Sequence, residues 1–113
     1  MRVAVFGWKR EHNAGWIEAA ERVGRVCAEV GAEVVTGGGS GTMAAANRGA
    51  GGGLGVTLPL LSGTEGVNPH AERVVLVDTF AERKRLLFEG MTCAVLLPGG
   101  AGTLDEFTDL VNM

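Results

Sequence analysis

A chain of 113 residues is one domain's worth, and its 46% hydrophobic content with mixed charges suits a folded globular protein, not a disordered one. Folding at this length buries roughly 60–70% of the surface that the unfolded chain exposes, enough for a core of modest size. A net charge of −3 with no lysine or arginine block argues against a broad nucleic-acid surface. Small anions stay open as ligands, because backbone N–H groups bind phosphate without net positive charge. No stretch approaches ~18 consecutive apolar residues, so no membrane span is expected. The opening run from Met1 to Gly7 lacks the length and cleavage pattern of a signal peptide. Cys27 and Cys93 are therefore expected as buried thiols in a reducing cytoplasm, and His12 and His70 stand alone and make no metal site with them.

Arg2–Phe6 reads as a first strand stopped by Gly7, followed by a loop through Ala14. Ile17, Ala20, Val23, Cys27 and Val30 recur at helical spacing from about Trp16 to Val30, with Gly31 as the stop. Glu33–Thr36 is a second strand, Gly37-Gly38-Gly39-Ser40-Gly41 the loop after it, and Thr42 to about Ala50 an alanine-rich helix. Leu54–Leu58 is a third strand, running through Pro59 into a loop from about Leu61 to His70. Arg73–Val77 is a fourth strand. Thr79-Phe80-Ala81-Glu82 forms a capping box that opens a helix ending near Gly90. Cys93–Leu97 is a fifth strand, followed by Pro98-Gly99-Gly100-Ala101-Gly102. A second capping box, Thr103-Leu104-Asp105-Glu106, opens a last helix toward Met113.

Alternating strands and helices with near-continuous apolar runs predict a parallel sheet covered on both faces. Right-handed crossovers make it a Rossmann-like, doubly wound α/β fold in a single domain. Ligands of such sheets bind beyond the carboxyl ends of the strands, where the strand order reverses. Of the 19 glycines, every cluster except Gly51-Gly52-Gly53 follows the carboxyl end of a strand. Glycine lets the backbone approach a ligand, and the next helix offers free N–H groups and the positive end of its dipole to an anion. The competing explanation, tight turns alone, does not call for three or four glycines together. Gly39-Ser40-Gly41-Thr42-Met43-Ala44 matches the dinucleotide pattern G-x-G-x-x-A. It follows the second strand, however, and no acidic residue ends the next strand to hold a ribose. The Walker pattern is absent.

The segments Gly37–Ala50, Arg83-Lys84 and Pro98–Glu106, in this order, resemble the LOG family. These are the cytokinin-activating phosphoribohydrolases and their bacterial nucleoside 5′-monophosphate nucleosidase relatives, often labelled lysine decarboxylases. Ala46-Asn47-Arg48-Gly49-Ala50, with Leu58-Pro59 and Asn68, looks closer to the bacterial nucleosidases. The resemblance implies hydrolysis of the N-glycosidic bond of an AMP-like nucleoside 5′-monophosphate to free base and ribose 5-phosphate. It implies no metal or organic cofactor, and a homodimer or larger homo-oligomer. The family's catalytic arginine falls on Arg83 and its glutamate on Glu106. Its phosphate contacts fall on Gly39, Ser40, Gly41 and Thr42, and on Gly99, Gly100, Gly102 and Thr103. Cleavage builds positive charge on the ribose, so a carboxylate beside the sugar stabilises the transition state or orients water.

Each assignment has a plainer rival. Glu106 is the third helical position of a capping box, and Arg83 sits in the charged run 82–85, which is usually a solvated helix face. Trp8 either stacks on a base or packs in the core, and Trp16 flanks the first helix. Gly7-Trp8 stands where many relatives carry a Gly-Ser segment. The relatives also continue beyond the position of Met113 through at least one more strand and helix. The chain is read accordingly as one nucleotide-binding domain, either a fragment or a short member with an altered pocket. The alternative function is a carrier that holds a phosphorylated ligand without cleaving it. The molybdenum-cofactor carriers resemble the same fold and share the Pro-Gly-Gly-x-Gly-Thr loop. A pyridoxal decarboxylase is a poor third, since no lysine has a recognisable Schiff-base setting.

Overall fold

A computed structural model describes residues 1–7, 13–57 and 70–97. Within them, five short apolar runs form strands β1 (Arg2–Phe6), β2 (Glu33–Thr36), β3 (Leu54–Thr57), β4 (Arg73–Leu76) and β5 (Cys93–Leu96). Between them lie helices α1 (Ala14–Glu29), α2 (Thr42–Ala50) and α3 (Phe80–Phe88). All strand pairings are parallel, in the order β4-β3-β2-β1-β5. The chain winds outward from β1 to β4, then returns to place β5 on the other side of β1. The order therefore reverses between β1 and β5, and the expected doubly wound α/β sheet is present. No helix among the described residues is long and apolar enough to cross a membrane.

The period-2 alternation of β1 sorts its side chains between two cores. Val3 and Val5 pack with Ala20 and Cys27 of α1 and with Ala45 and Ala46 of α2. Ala4 and Phe6 pack on the opposite face with Val35, Val56 and Leu87 of α3, and the Phe6 and Phe88 rings meet edge-on at 5.7 Å and 68°. Helices thus cover both faces of the central strands. The covering does not extend to the edges: all four residues of β4 are exposed, and β5 is only partly covered.

α1 begins at Ala14, earlier than the apolar spacing suggests, because the Asn13 side chain accepts from the amides of Gly15 (2.8 Å) and Trp16 (3.4 Å). It ends as expected at Gly31, with Ala32 N–H on the Cys27 carbonyl (2.8 Å) and Gly31 N–H on that of Ala28 (3.2 Å), a Schellman closure. The expected fourth and fifth strands ran one residue further, to Val77 and Leu97. Both still donate to the neighbouring strand, to Thr57 O at 2.9 Å and Phe6 O at 2.8 Å, and both are buried. The expected last helix, the second capping box and most of the 61–70 loop lie outside the described residues.

Two glycines inside helices, Gly24 and Gly49, are where α1 and α2 touch. A Cβ on Gly24 would collide with the Ala46 carbonyl oxygen and stand 2.8 Å from Ala50 N, and one on Gly49 would collide with the Glu21 carbonyl, 2.8 Å from its carbon. The helices therefore pack backbone to backbone, with Arg48 of α2 bonded to Glu21 of α1 at 2.7 Å. Gly49→Ala decides between two effects of opposite sign. Helix propensity alone stabilises alanine by roughly 1 kcal/mol, whereas overpacking costs about 1–3 kcal/mol or more. Urea denaturation is expected to show a net loss, and a gain would contradict the close approach.

Cys27 is buried as expected, but Cys93 is exposed, because it opens a strand at the edge of the described sheet. Burial pushes the Cys27 thiol above its ordinary value, and Cys93 nearby adds to the rise. Brief iodoacetamide treatment of the native protein should alkylate Cys93 alone, with Cys27 reacting only in denaturant. Equal labelling of both in the native state would contradict the packing.

Candidate functional site

The carboxyl ends of the strands meet at one rim, and Gly7 sets how tightly. A Cβ there would stand 3.0 Å from Thr42 Cβ and 3.5 Å from Leu97 Cβ, and would collide with the Thr42 hydroxyl. The end of β1, the residue after β5 and the first residue of α2 are thus in contact at the point where strand order reverses. Ligands of this architecture bind in that crevice.

The loop from β2 to α2 reaches the same rim. Gly41, the N-cap of α2, has φ 66° and ψ −130°, a conformation that side chains essentially exclude. Having no side chain, it cannot cap the helix itself. The α2 ladder begins with Ala45 N–H on the Gly41 carbonyl at 3.1 Å, so the amides before it have no partner within the helix. They lie at the positive end of the helix dipole, where an anion gains ~0.3–1 kcal/mol when exposed and up to ~2 when partly buried. Ser40 is exposed and Gly39 and Gly41 half-buried, so these three form the accessible stretch. Thr42 is fully buried against Gly7, and its side chain seats α2 on the end of β1.

Arg83 comes from the other face of the sheet. Thr79 caps α3 by accepting from Glu82 N–H at 3.1 Å, which sets the first turn on which Arg83 rides. Its Nε donates to the Val56 carbonyl at 3.1 Å and its Nη2 to the Gly37 carbonyl at 3.2 Å. A side chain on Gly37 would collide with the guanidinium. Arg83 is therefore no solvated member of a charged run. It is half-buried across the carboxyl ends of β2 and β3, bonded to neutral carbonyls at the root of the glycine loop.

The described residues thus bring together Gly7, the loop through Gly39, Ser40, Gly41 and Thr42, Arg83, and Leu97. Gly99, Gly100, Gly102, Thr103, Glu106 and Trp8 lie outside the described residues, although Leu97, one residue before Pro98, is at this rim. Trp16 does not flank α1 but sits in its first turn, 41% exposed. Two residues at the site were given no role in it by the sequence. Thr36 and Asn47 are both fully buried and share a hydrogen bond of 2.8 Å beneath the glycine loop. The signal was available: an asparagine among the buried alanines of α2 must find partners.

The opposite rim differs in kind. There Glu33 receives both Arg2, at 2.9 Å, and Arg73, so its charges are matched by side chains. On the helical face, the Arg48 guanidinium bonded to Glu21 holds that carboxyl below the usual carboxylate range, with Arg25 adding to the effect. Among the described residues, no three or more His, Cys, Asp or Glu side chains gather that could hold a metal ion. Arg83→Met keeps the aliphatic stem but strands two carbonyls, which should lower the unfolding free energy by roughly 1–3 kcal/mol. An unchanged urea midpoint would show that the two bonds do not anchor the loop.

Comparison with known proteins adds to this geometry. Residues 41–113 match the family model described as possible lysine decarboxylase. The chain is 36% identical over 112 residues to a cytokinin riboside 5′-monophosphate phosphoribohydrolase of Mycobacterium tuberculosis, covering 95% of this chain and 60% of that protein. It is 35% identical over 99 residues to the Mycobacterium marinum protein of the same name, covering 83% and 53%. The chain therefore spans little more than half the length of these curated relatives. Among solved structures, a molybdenum cofactor carrier protein from Chlamydomonas reinhardtii shares the fold, with a TM-score of 0.76 at 22% identity over 98% of this chain and 71% of that one. On the family match and on the identity to these relatives, the chain belongs to the LOG family.

Proposed function

We propose that this protein is a hydrolase that cleaves the N-glycosidic bond of nucleoside 5′-monophosphates, releasing free base and ribose 5-phosphate. The observation that carries the reading is the convergence of a glycine loop opening α2 and the Arg83 guanidinium on one rim, in a family whose curated relatives are named phosphoribohydrolases. The 5′-phosphate binds the amides of Gly39, Ser40, Gly41 and Thr42, joined by Gly99, Gly100, Gly102 and Thr103 from the loop after β5. Phosphate binding orients the ribose, so binding energy remote from the reacting bond serves the chemistry.

Water adds to C1′ while the base departs with the electrons of the C–N bond and takes up a proton. Positive charge develops on the ribose along the way. The Glu106 carboxylate faces that charge or orients the water, and Arg83 holds the carboxylate, the phosphate or the departing base. Because Arg83 also bonds the Gly37 carbonyl, it ties the phosphate loop to the reacting end of the site. Trp8 is a further base contact in this scheme, no metal or organic cofactor is used, and the working assembly is a cytoplasmic homodimer or larger homo-oligomer. The fold likeness to a molybdenum cofactor carrier favours a second reading, retention of a phosphorylated ligand without cleavage.

The test is incubation with AMP, GMP, CMP and UMP, followed by chromatography for free base. Base release is expected, with losses of about 100-fold or more in Glu106→Gln and Arg83→Ala. No release by the wild type, with a phosphorylated pterin co-purifying, would overturn the hydrolase in favour of the carrier.

A further inference from the structure

We infer that Thr36 and Asn47 are positioning residues, a buried polar relay that fixes the root of the glycine loop and so aims its amides; calling those amides the phosphate site rests on the function proposed above. Three of the bonds among the described residues build the relay, and their directions are mutually determined. Asn47 Nδ2 donates to the Gly52 carbonyl at 2.8 Å, which turns Oδ1 toward Thr36. The Thr36 hydroxyl gives its one proton to that oxygen at 2.8 Å. Its lone pairs are then left to accept Gly38 N–H, at 3.1 Å. Reversing any one bond would leave a buried donor facing a donor or an acceptor facing an acceptor.

The placement of the relay suits this role. Gly38 has φ +76° and is held on its other side by β3, where a Cβ on Gly55 would stand 3.0 Å from Gly38 Cα. The loop's first turn is thus pinned from two directions, while Gly39, Ser40 and Gly41 beyond it remain accessible. Glycine-rich backbone has more freedom to lose than any other, so an unpinned loop would have to be ordered by the ligand itself. At the far end, Asn47 grips the turn that leaves α2 for β3. One side chain in the middle of α2 therefore couples the loop before the helix to the turn after it. Apolar residues at 36 and 47 would extend the neighbouring core of Val34, Val35, Ala45 and Ala46. A fully buried polar pair there costs desolvation, and a satisfied network of this kind specifies a single geometry in return.

The test compares Thr36→Val, close in shape but without the hydroxyl, with Thr36→Ser, which restores it, and with Asn47→Ala, which removes the other half. Cys27→Ala, in the α1 core and away from the rim, is the control for general destabilisation. Native-state hydrogen exchange of amides 38–43 is expected to quicken by about tenfold or more in Thr36→Val and Asn47→Ala, and to stay near wild type in Thr36→Ser. KM for AMP should rise by about tenfold with a smaller change in kcat, and the serine variant should recover it. If the valine and alanine variants follow Cys27→Ala in both readouts, the relay is structural only and the inference falls. If the wild type releases no base, the hydrolase reading falls by itself, and the exchange comparison still decides the relay.

Discussion

How closely α2 can approach the end of β1 governs everything at the carboxyl rim. Gly7 has no side chain, so Thr42 sits directly over the end of the strand. Gly24 and Gly49 let α1 and α2 meet backbone to backbone on the same face. These contacts bring the N-terminus of α2, whose first-turn amides have no partner within the helix, to the edge of the crevice between β1 and β5. A methyl group at Gly7 would collide with the Thr42 hydroxyl and crowd its Cβ, so the side chain that seats the helix end would have to shift. The strand order makes the crevice, and the absence of side chains lets a helix dipole face it.

The two rims of the sheet show how the site is set apart electrostatically. At the amino rim, Glu33 joins Arg2 and Arg73, tying strand starts together with matched charges. At the carboxyl rim, the groups presented are backbone amides of a glycine loop, backed by a guanidinium bonded to neutral carbonyls. Anion affinity of this kind needs no net positive charge, so the net charge of −3 does not count against the phosphate ester proposed for this rim. Arg83 does double duty in this arrangement. It braces the root of the loop and carries a cation to the rim, so its removal changes both shape and charge.

Much of the fold was legible because the sheet-building signals are local. The bounds of β1, β2 and α2 are those that the apolar runs and their glycine stops imply. The start of α1 was misplaced because Asn13 lies outside the apolar stripe and acts through its side-chain oxygen. Covering of both faces holds for the central strands and fails at β4 and at Cys93, since a run of apolar residues does not announce whether its strand is central or at an edge. Of the site, Gly39, Ser40 and Gly41 were readable as a loop after a strand. Arg83 was visible only through family resemblance, for its run of charges looks like a solvated face, and its carbonyl partners lie far off in sequence. Asn47 gave half a signal, as a polar residue among the alanines of α2, but its partner Thr36 lies across on β2, and no spacing rule encodes that contact.

The family match covers residues 41–113, a range that includes the start of α2 and Arg83 at the rim. The most direct measurement is amide chemical-shift mapping of the isotopically labelled protein during titration with ribose 5-phosphate. The account predicts the largest shifts, moving together at one saturating concentration, at Gly39 to Met43 and at Gly99 to Thr103. Shifts concentrated at the opposite rim, around Gly31 to Val34 and Gly51 to Gly53, or in only one of the two loops, would contradict a shared phosphate site.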